Sequence, residues 1–304
     1  MTDPPLNTML TRSCRCPFIV GRSHAAGRPR LPVTHRHRRA VGVARPSGTA
    51  LHLLPLPALT DNYIWLLHDD EGQAVVVDPG DAAVVEQALA QHRWRLRGVL
   101  LTHHHNDHIG GAAALRQRHD VPVYGPRDSR IEGLTHAVGD GDTVEFSAPD
   151  LVFEVLSIPG HTLTHVGYVG AGLLLCGDTL FSLGCGRLFE GTPTQMLASL
   201  DRLAALPGST QVCAGHEYTH GNGLFADTVE PGNSALRERR REVAQLRADG
   251  QASLPVTLAT ELATNPFLRV DADAVIDWCA ARGVDGNRVS RFAALRAAKD
   301  VFPA

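Results

Sequence analysis

Thr102-His103-His104-His105-Asn106-Asp107-His108-Ile109-Gly110-Gly111 is the stretch that decides how this chain is read. It offers His103, His105, Asp107 and His108 as metal ligands within six positions. Imidazole combined with carboxylate suits zinc, iron or manganese rather than calcium or magnesium. The spacing i, i+2, i+4, i+5 cannot set all four on one helix face. It predicts a loop that leaves a strand and runs into a helix. Gly98-Val99-Leu100-Leu101 supplies the strand, and Gly110-Gly111-Ala112-Ala113-Ala114-Leu115 begins the helix. A histidine cluster alone is often a solvated surface feature. Four ligand types in this order at a strand end are much less often accidental.

Three distant segments repeat the arrangement. Gly160-His161-Thr162 follows the strand-like run Val152 to Ile158. Gly177-Asp178-Thr179 follows Leu173-Leu174-Leu175-Cys176, and Gly215-His216-Glu217 follows Gln211-Val212-Cys213. Each candidate ligand stands just past an apolar strand, where open α/β sheets gather their sites, and beside a glycine that permits a sharp turn. Alone, His161 or His216 reads as a structural histidine. In this order, the His-x-His-x-Asp-His loop and its companions resemble the metallo-β-lactamase superfamily, whose ordered set of five motifs is complete here. The resemblance implies two mixed sheets packed face to face between outer helices, with metal at one sheet edge.

Further motifs narrow the resemblance to the hydroxyacylglutathione hydrolases, also called glyoxalase II. They are Leu59-Thr60-Asp61-Asn62-Tyr63, Val77-Asp78-Pro79-Gly80, Gly177-Asp178-Thr179-Leu180-Phe181, Gly184-Cys185-Gly186-Arg187-Leu188-Phe189-Glu190-Gly191, Gly215-His216-Glu217-Tyr218-Thr219, Val229-Glu230-Pro231-Gly232-Asn233 and Asn265-Pro266-Phe267-Leu268-Arg269. The Gly-Cys-Gly-Arg, His-Glu-Tyr-Thr and Asn-Pro-Phe-Leu-Arg elements are the most specific. This resemblance implies an α/β fold, an αββα sandwich followed by a small all-helical C-terminal domain. It implies one metal on His103, His105 and His161, a second on Asp107, His108 and His216, and Asp178 with a hydroxide bridging both. The expected cofactors are two divalent ions, zinc first, with iron or manganese as alternatives. Asp107 and Asp178 are expected to serve catalysis as well as ligation. The implied reaction is hydrolysis of S-D-lactoylglutathione to D-lactate and glutathione. The implied substrate contacts are Arg187, Leu188, Phe189 and Tyr218, with Arg296 and Lys299 from the helical domain. Some family members carry Lys and Tyr where Arg187 and Phe189 stand, which removes one phenol hydrogen bond here.

The chain has 304 residues, enough for one large domain or two smaller ones, and a 43% hydrophobic share ample for a core. No apolar run of transmembrane length occurs, so no membrane partner is expected. The six cysteines form no Cys-x-x-Cys pair and no disulfide framework, which makes a reducing cytoplasm the default. Residues 1–48 hold nine arginines and one acid, a net +8, leaving −11 on the remainder. That Arg-, Pro- and Gly-rich segment lacks hydrophobic periodicity and reads as a disordered, dispensable extension. A transit peptide or a nucleic-acid-binding arm are the competing readings. The sandwich is expected over 49–217 and the helical domain over 218–304. Periodicity predicts strands near 62–67, 74–78, 98–102, 151–158, 165–169, 173–177 and 210–213. It predicts helices near 82–92, 110–119, 193–205, 235–248, 272–282 and 290–299. The run Arg237-Glu238-Arg239-Arg240-Arg241-Glu242 reads as a solvated helix face rather than a nucleic-acid patch. Arg296 and Lys299, the latter the only lysine, share a helix face and could clamp an anionic ligand, or simply complement the helix dipole. A monomer is expected.

A second enzyme class shares the His-x-His-x-Asp-His loop: sulfur dioxygenases that bind one iron and oxidise glutathione persulfide. They typically lack a long helical tail, which this chain has. β-Lactamase activity is disfavoured because Asp178, not cysteine, follows the strand. A non-catalytic binding module is disfavoured by the complete ligand set.

Overall fold

A computed structural model describes residues 50–303. The expected extension over 1–48, with Cys14 and Cys16, lies outside the described residues.

The first sheet is built from β1 (Leu51–Ala58), β2 (Asn62–Asp69), β3 (Gln73–Val77), β4 (Arg95–Leu100), β5 (Val123–Pro126) and β6 (His136–Val138), paired in that order. Helices α1 (Ala82–His92), α2 (Asn106–Ile109) and α3 (Ala112–His119) interrupt it. The chain then forms β7 (Thr143–Ser147), β8 (Asp150–Ser157), β9 (Val166–Gly170) and β10 (Leu173–Gly177). A two-stranded hairpin follows, β11 (Leu180–Phe181) and β12 (Gly184–Cys185), then α4 (Pro193–Ala204) and β13 (Gln211–Ala214). The remainder is α5 (Thr219–Val229), α6 (Ser234–Ala248), β14 (Val256–Thr257), α7 (Leu258–Thr264), α8 (Asp273–Ala280) and α9 (Arg288–Asp300). The second sheet has the order β14-β13-β10-β9-β8-β7.

Alternation along β2 explains the layering. Tyr63, Trp65 and Leu67 join Val144, Phe153 and Val155 of the second sheet in one core, while Ile64 and Leu66 pack with Val85, Leu89 and Leu115 of α1 and α3. A period of two sends successive side chains to opposite faces. Because both faces of β2 and β3 are covered, their central runs Ile64–Leu67 and Ala74–Val77 are continuously apolar. Thr192 opens α4 with a capping box to Gln195, and Asp81 caps α1 through the Ala83 N–H.

Several elements escape the periodicity reading. β1 contains Pro55 and Pro57, which argue against a strand, yet it is an edge strand paired only with β2, where proline is tolerated. β5, β6 and the β11–β12 hairpin are too short to carry a pattern. α5 holds Gly221 and Gly223, which lower helix propensity, but it buries Phe225, Ala226 and Val229. β14 is the strand that joins the C-terminal helical region to the second sheet, pairing Val212↔Val256 and Gln211↔Thr257. Among the described residues no helix is long and apolar enough to cross a membrane.

Candidate metal centre

Strand ends deliver every predicted ligand to one edge of the sandwich. Asp78, just past β3, accepts hydrogen bonds from Thr102 N–H (2.8 Å) and Thr102 Oγ1 (2.7 Å). That pair turns the chain after β4 so that His103 and His105 point inward from the loop. The one-turn helix α2 then presents Asp107 and His108. His161 follows β8, Asp178 follows β10 and His216 follows β13. Gly177 adopts φ 47°, and a Cβ there would meet Thr102 Oγ1 at 2.3 Å, so the turn to Asp178 requires glycine.

The seven residues form two triads. His105 Nδ1 lies 3.1 Å from His103 Nε2 and 3.0 Å from His161 Nε2. Asp107 Oδ2 lies 3.3 Å from both His108 Nε2 and His216 Nε2. Asp178 stands between them: Oδ1 is 3.4 Å from His108 Nε2, while Oδ2 is 3.3 Å from His216 Nε2 and 3.5 Å from His161 Nε2. A carboxylate reaches both because it carries two oxygens with several lone pairs.

The side chains fit cations rather than one another. His105 Nδ1 faces two ring nitrogens at once, with ring planes near perpendicular at 79° and 82°, and one proton serves one such partner well. His108 Nε2 and Asp178 Oδ1 are buried without a hydrogen-bond partner. A buried polar atom in that condition costs free energy unless something else satisfies it. Gly215 keeps the space open, since a Cβ there would sit 2.5 Å from Asp178 Oδ1 and 2.7 Å from His108. Gly215→Ala is therefore expected to abolish metal retention while the sheets still fold; metal analysis beside circular dichroism measures both.

Electrostatics differ between the triads. Burial, then repulsion from His108, holds His103 well below the ordinary imidazole range; burial and His161 bring His105 down to about 4. These rings are neutral, as ligands must be. Burial also lowers His216, but Asp178 and Asp107 outweigh it and push it up to about 10. The second triad thus holds protons that a cation would displace.

His165 is fully buried, stacked on His103 with ring centroids 4.6 Å apart, and its Nε2 accepts the Asp178 N–H at 3.2 Å. Through that bond it holds the Asp178 backbone rather than its carboxylate. His104 points away from the triads, 3.6 Å from Asp128 and from Glu190. Asp61, Asn62 and Asp78 also touch predicted ligands, a role that their positions in the motifs do not reveal.

Aromatic rings flank both triads. Phe189, 63% exposed, meets His105 and His161 edge-on at 5.5 and 5.2 Å. Tyr218 stacks on His216 at 4.7 Å. Leu188 is partly buried against the core. Arg187 is largely exposed, near Asp300 of α9 (3.4 Å), and its carbonyl accepts from His161 Nδ1 at 2.9 Å. Lys299 is half-buried, its ammonium 5.8 Å from the Phe302 ring centre. Burial, then Arg296 and Arg187, lowers its pKa. Arg296 is turned inward: it donates to the Cys185 carbonyl (2.7 Å) and to Asp300 (3.1 Å). The structure therefore brings Arg187 and Lys299 together on the solvent side, and places Arg296 beneath them.

Helix α7 holds the loop that leads to Arg187. Glu261 is fully buried and accepts from Ser182 Oγ (2.7 Å), Leu183 N–H (2.8 Å) and Asn265 Nδ2 (3.0 Å). Asn265 also donates to the Phe181 and Gly184 carbonyls. An acid on a helix ordinarily reads as solvent-facing, so sequence offered no signal for Glu261. Glu261→Ala strands two buried donors, the Ser182 hydroxyl and the Leu183 N–H, and is expected to cost about 3 kcal/mol or more of stability, read by denaturant unfolding. Glu217 makes a comparable tie, accepting from Tyr63 OH (2.8 Å), Ser253 N–H (2.8 Å) and Ser253 Oγ (2.6 Å).

Comparison with known proteins bears on this geometry. A family model for the metallo-β-lactamase superfamily matches residues 59–216, and one for the hydroxyacylglutathione hydrolase C-terminus matches residues 217–302. A hydroxyacylglutathione hydrolase of Xanthomonas campestris pv. campestris is 50% identical over 257 residues, covering 84% of this chain and all of the relative. The chain belongs to the hydroxyacylglutathione hydrolase family. Another hydroxyacylglutathione hydrolase, from Cupriavidus taiwanensis, is 50% identical over 265 residues, covering 83% of this chain and 99% of its own. Among solved structures, ETHE1 from Myxococcus xanthus superposes with a TM-score of 0.55 at 26% identity, covering 82% of this chain and 96% of that one. The BLEG-1 B3 metallo-β-lactamase gives 0.54 at 26%, covering 72% and 99%. The match of residues 217–302 to the C-terminus of the hydroxyacylglutathione hydrolase family favours that enzyme class over the mononuclear dioxygenase.

Proposed function

We propose that the protein hydrolyses S-2-hydroxyacylglutathione thioesters, S-D-lactoylglutathione among them, to the hydroxy acid and glutathione. The carrying observation is the pair of triads sharing Asp178, in a chain whose C-terminal region belongs to this hydrolase family. The donor set of five imidazoles and two carboxylates suits zinc and accommodates iron or manganese. His103, His105 and His161 would hold one ion, Asp107, His108 and His216 the other, with Asp178 common to both. Two bound divalent ions would acidify water and polarise a carbonyl.

The chain's own residues do the rest. His165 holds the Asp178 backbone, so the shared carboxylate keeps its aim. Phe189 and Tyr218 stand at either side of the centre and confine the acyl carbon between them. Arg187 and Lys299 attract the anionic glutathione peptide, against a fold whose net charge is negative. Arg296 positions the loop by holding the Cys185 carbonyl. Water adds to the thioester carbonyl, the C–S bond breaks, and the thiol departs. A free thiol has a pKa near 8.5, so it leaves with less acid assistance than an amine. The four described cysteines are buried free thiols, which suits a reducing cytoplasm.

The test pairs metal analysis with a thioester assay. The expected result is two equivalents of metal per chain and release of free thiol from S-D-lactoylglutathione. One equivalent in a fully active preparation would overturn the binuclear reading. Oxygen consumption with glutathione persulfide and no thioester turnover would replace the hydrolase with a dioxygenase.

A further inference from the structure

The two triads are backed by different chemistry. His161 Nδ1 donates to a backbone carbonyl, that of Arg187, and His103 Nδ1 faces the Thr102 hydroxyl at 3.0 Å. Both partners are neutral oxygens. In the second triad, His108 Nδ1 lies 3.0 Å from Asp78 Oδ2 and His216 Nδ1 lies 2.8 Å from Asp61 Oδ1. Both are carboxylates. A carboxylate behind a ligating imidazole fixes its tautomer and raises its basicity.

Asp61 belongs to a turn that touches only the second triad. Its neighbour Asn62 donates from Nδ2 to Asp107 Oδ2 at 2.9 Å. The turn is sewn to the strand end that carries His216: Tyr63 N–H donates to the Gly215 carbonyl (2.8 Å) and Glu217 N–H to the Asp61 carbonyl (2.9 Å). Leu59 enters it at φ 51°, a left-handed conformation rare for leucine. Two adjacent side chains thus steer two of the three ligands of one position, and neither reaches His103, His105 or His161.

We propose that the Asp61–Asn62 turn makes the position of Asp107, His108 and His216 the tighter of the two, so that its ion is retained when the other is lost. This rests on the binuclear reading above. Loss of such an outer partner costs roughly 10–100-fold in metal affinity.

The zinc-loaded full-length protein, mixed with an excess of a chromophoric chelator, tests it. Wild type should release zinc in two phases of one equivalent each, one fast and one slow. Asp61→Ala and Asn62→Ala should each speed the slow phase at least tenfold and leave the fast phase unchanged. The unchanged phase also controls for damage to the fold, which would accelerate both. Equal acceleration of both phases, no acceleration, or acceleration of the fast phase alone would overturn the proposal. A preparation holding a single equivalent would overturn the binuclear reading instead, and whether Asp61→Ala hastens release of that one ion would still decide the role of the turn.

Discussion

Asp178→Asn should lower turnover by more than ~100-fold and drop the bound metal from two equivalents towards one. Removal of a residue behind a ligand already costs ~10–100-fold, and under the proposed binuclear reading Asp178 is itself the ligand both positions share. Asparagine keeps one acceptor oxygen but replaces the other with an amide donor. That donor would face either His108, 3.4 Å from Oδ1, or His161 and His216, 3.5 and 3.3 Å from Oδ2. The negative charge that would lie between two bound cations disappears as well. Metal analysis and kcat on the same preparation measure the result. Full turnover with one equivalent would mean that the second triad is not part of the reaction.

Lys299→Ala should raise KM for glutathione thioesters by about 10–100-fold, because a charge-assisted hydrogen bond contributes roughly 1.5–3 kcal/mol. Metal content should not change, since the side chain lies on α9 away from every ligand. A small thioester lacking the glutathione carboxylates should be hydrolysed equally by both proteins. Arg296→Ala should behave differently. Its guanidinium holds the Cys185 carbonyl, and the next residues of that loop reach Arg187, whose carbonyl fixes His161. The loss should therefore lower kcat and weaken metal binding for both substrates. If instead the two variants show the same KM effect, Arg296 also contacts the peptide.

The centre was largely legible because metal chemistry restricts residue type, and strand ends restrict position. Histidine and aspartate beside glycine, after apolar runs, leave few alternative readings, and all seven predicted ligands converge. The sandwich followed for the same reason: β2, β3, β8 and β10 carry long apolar or alternating patterns. What escaped has a common physical cause. β1 is a strand despite its prolines because an edge does not require their missing N–H groups. α5 is a helix despite its glycines because burial of Phe225 outweighs propensity. Asp61, Asn62 and Asp78 were visible within motifs, yet their work depends on which nitrogen of a distant histidine they face. Spacing along the chain carries no such information. Arg296 and Lys299 share a helix face in sequence, but the depth of burial that separates their tasks appears only in three dimensions.

The short strand β14 has a consequence for the order in which the molecule can be made. It closes the edge of the second sheet beside β13, and β13 ends two residues before His216. Glu217, the next residue, is tied down by Ser253 of the same returning segment. While the chain is being synthesised, β13 therefore has an open flank until Val256 has emerged, and an open flank invites pairing with another chain. A fragment ending after His216 would contain every predicted ligand yet lack the partner strand that steadies the last of them. The helical tail is thus a condition for completing the sandwich, and nascent chains halted before it are the ones expected to aggregate.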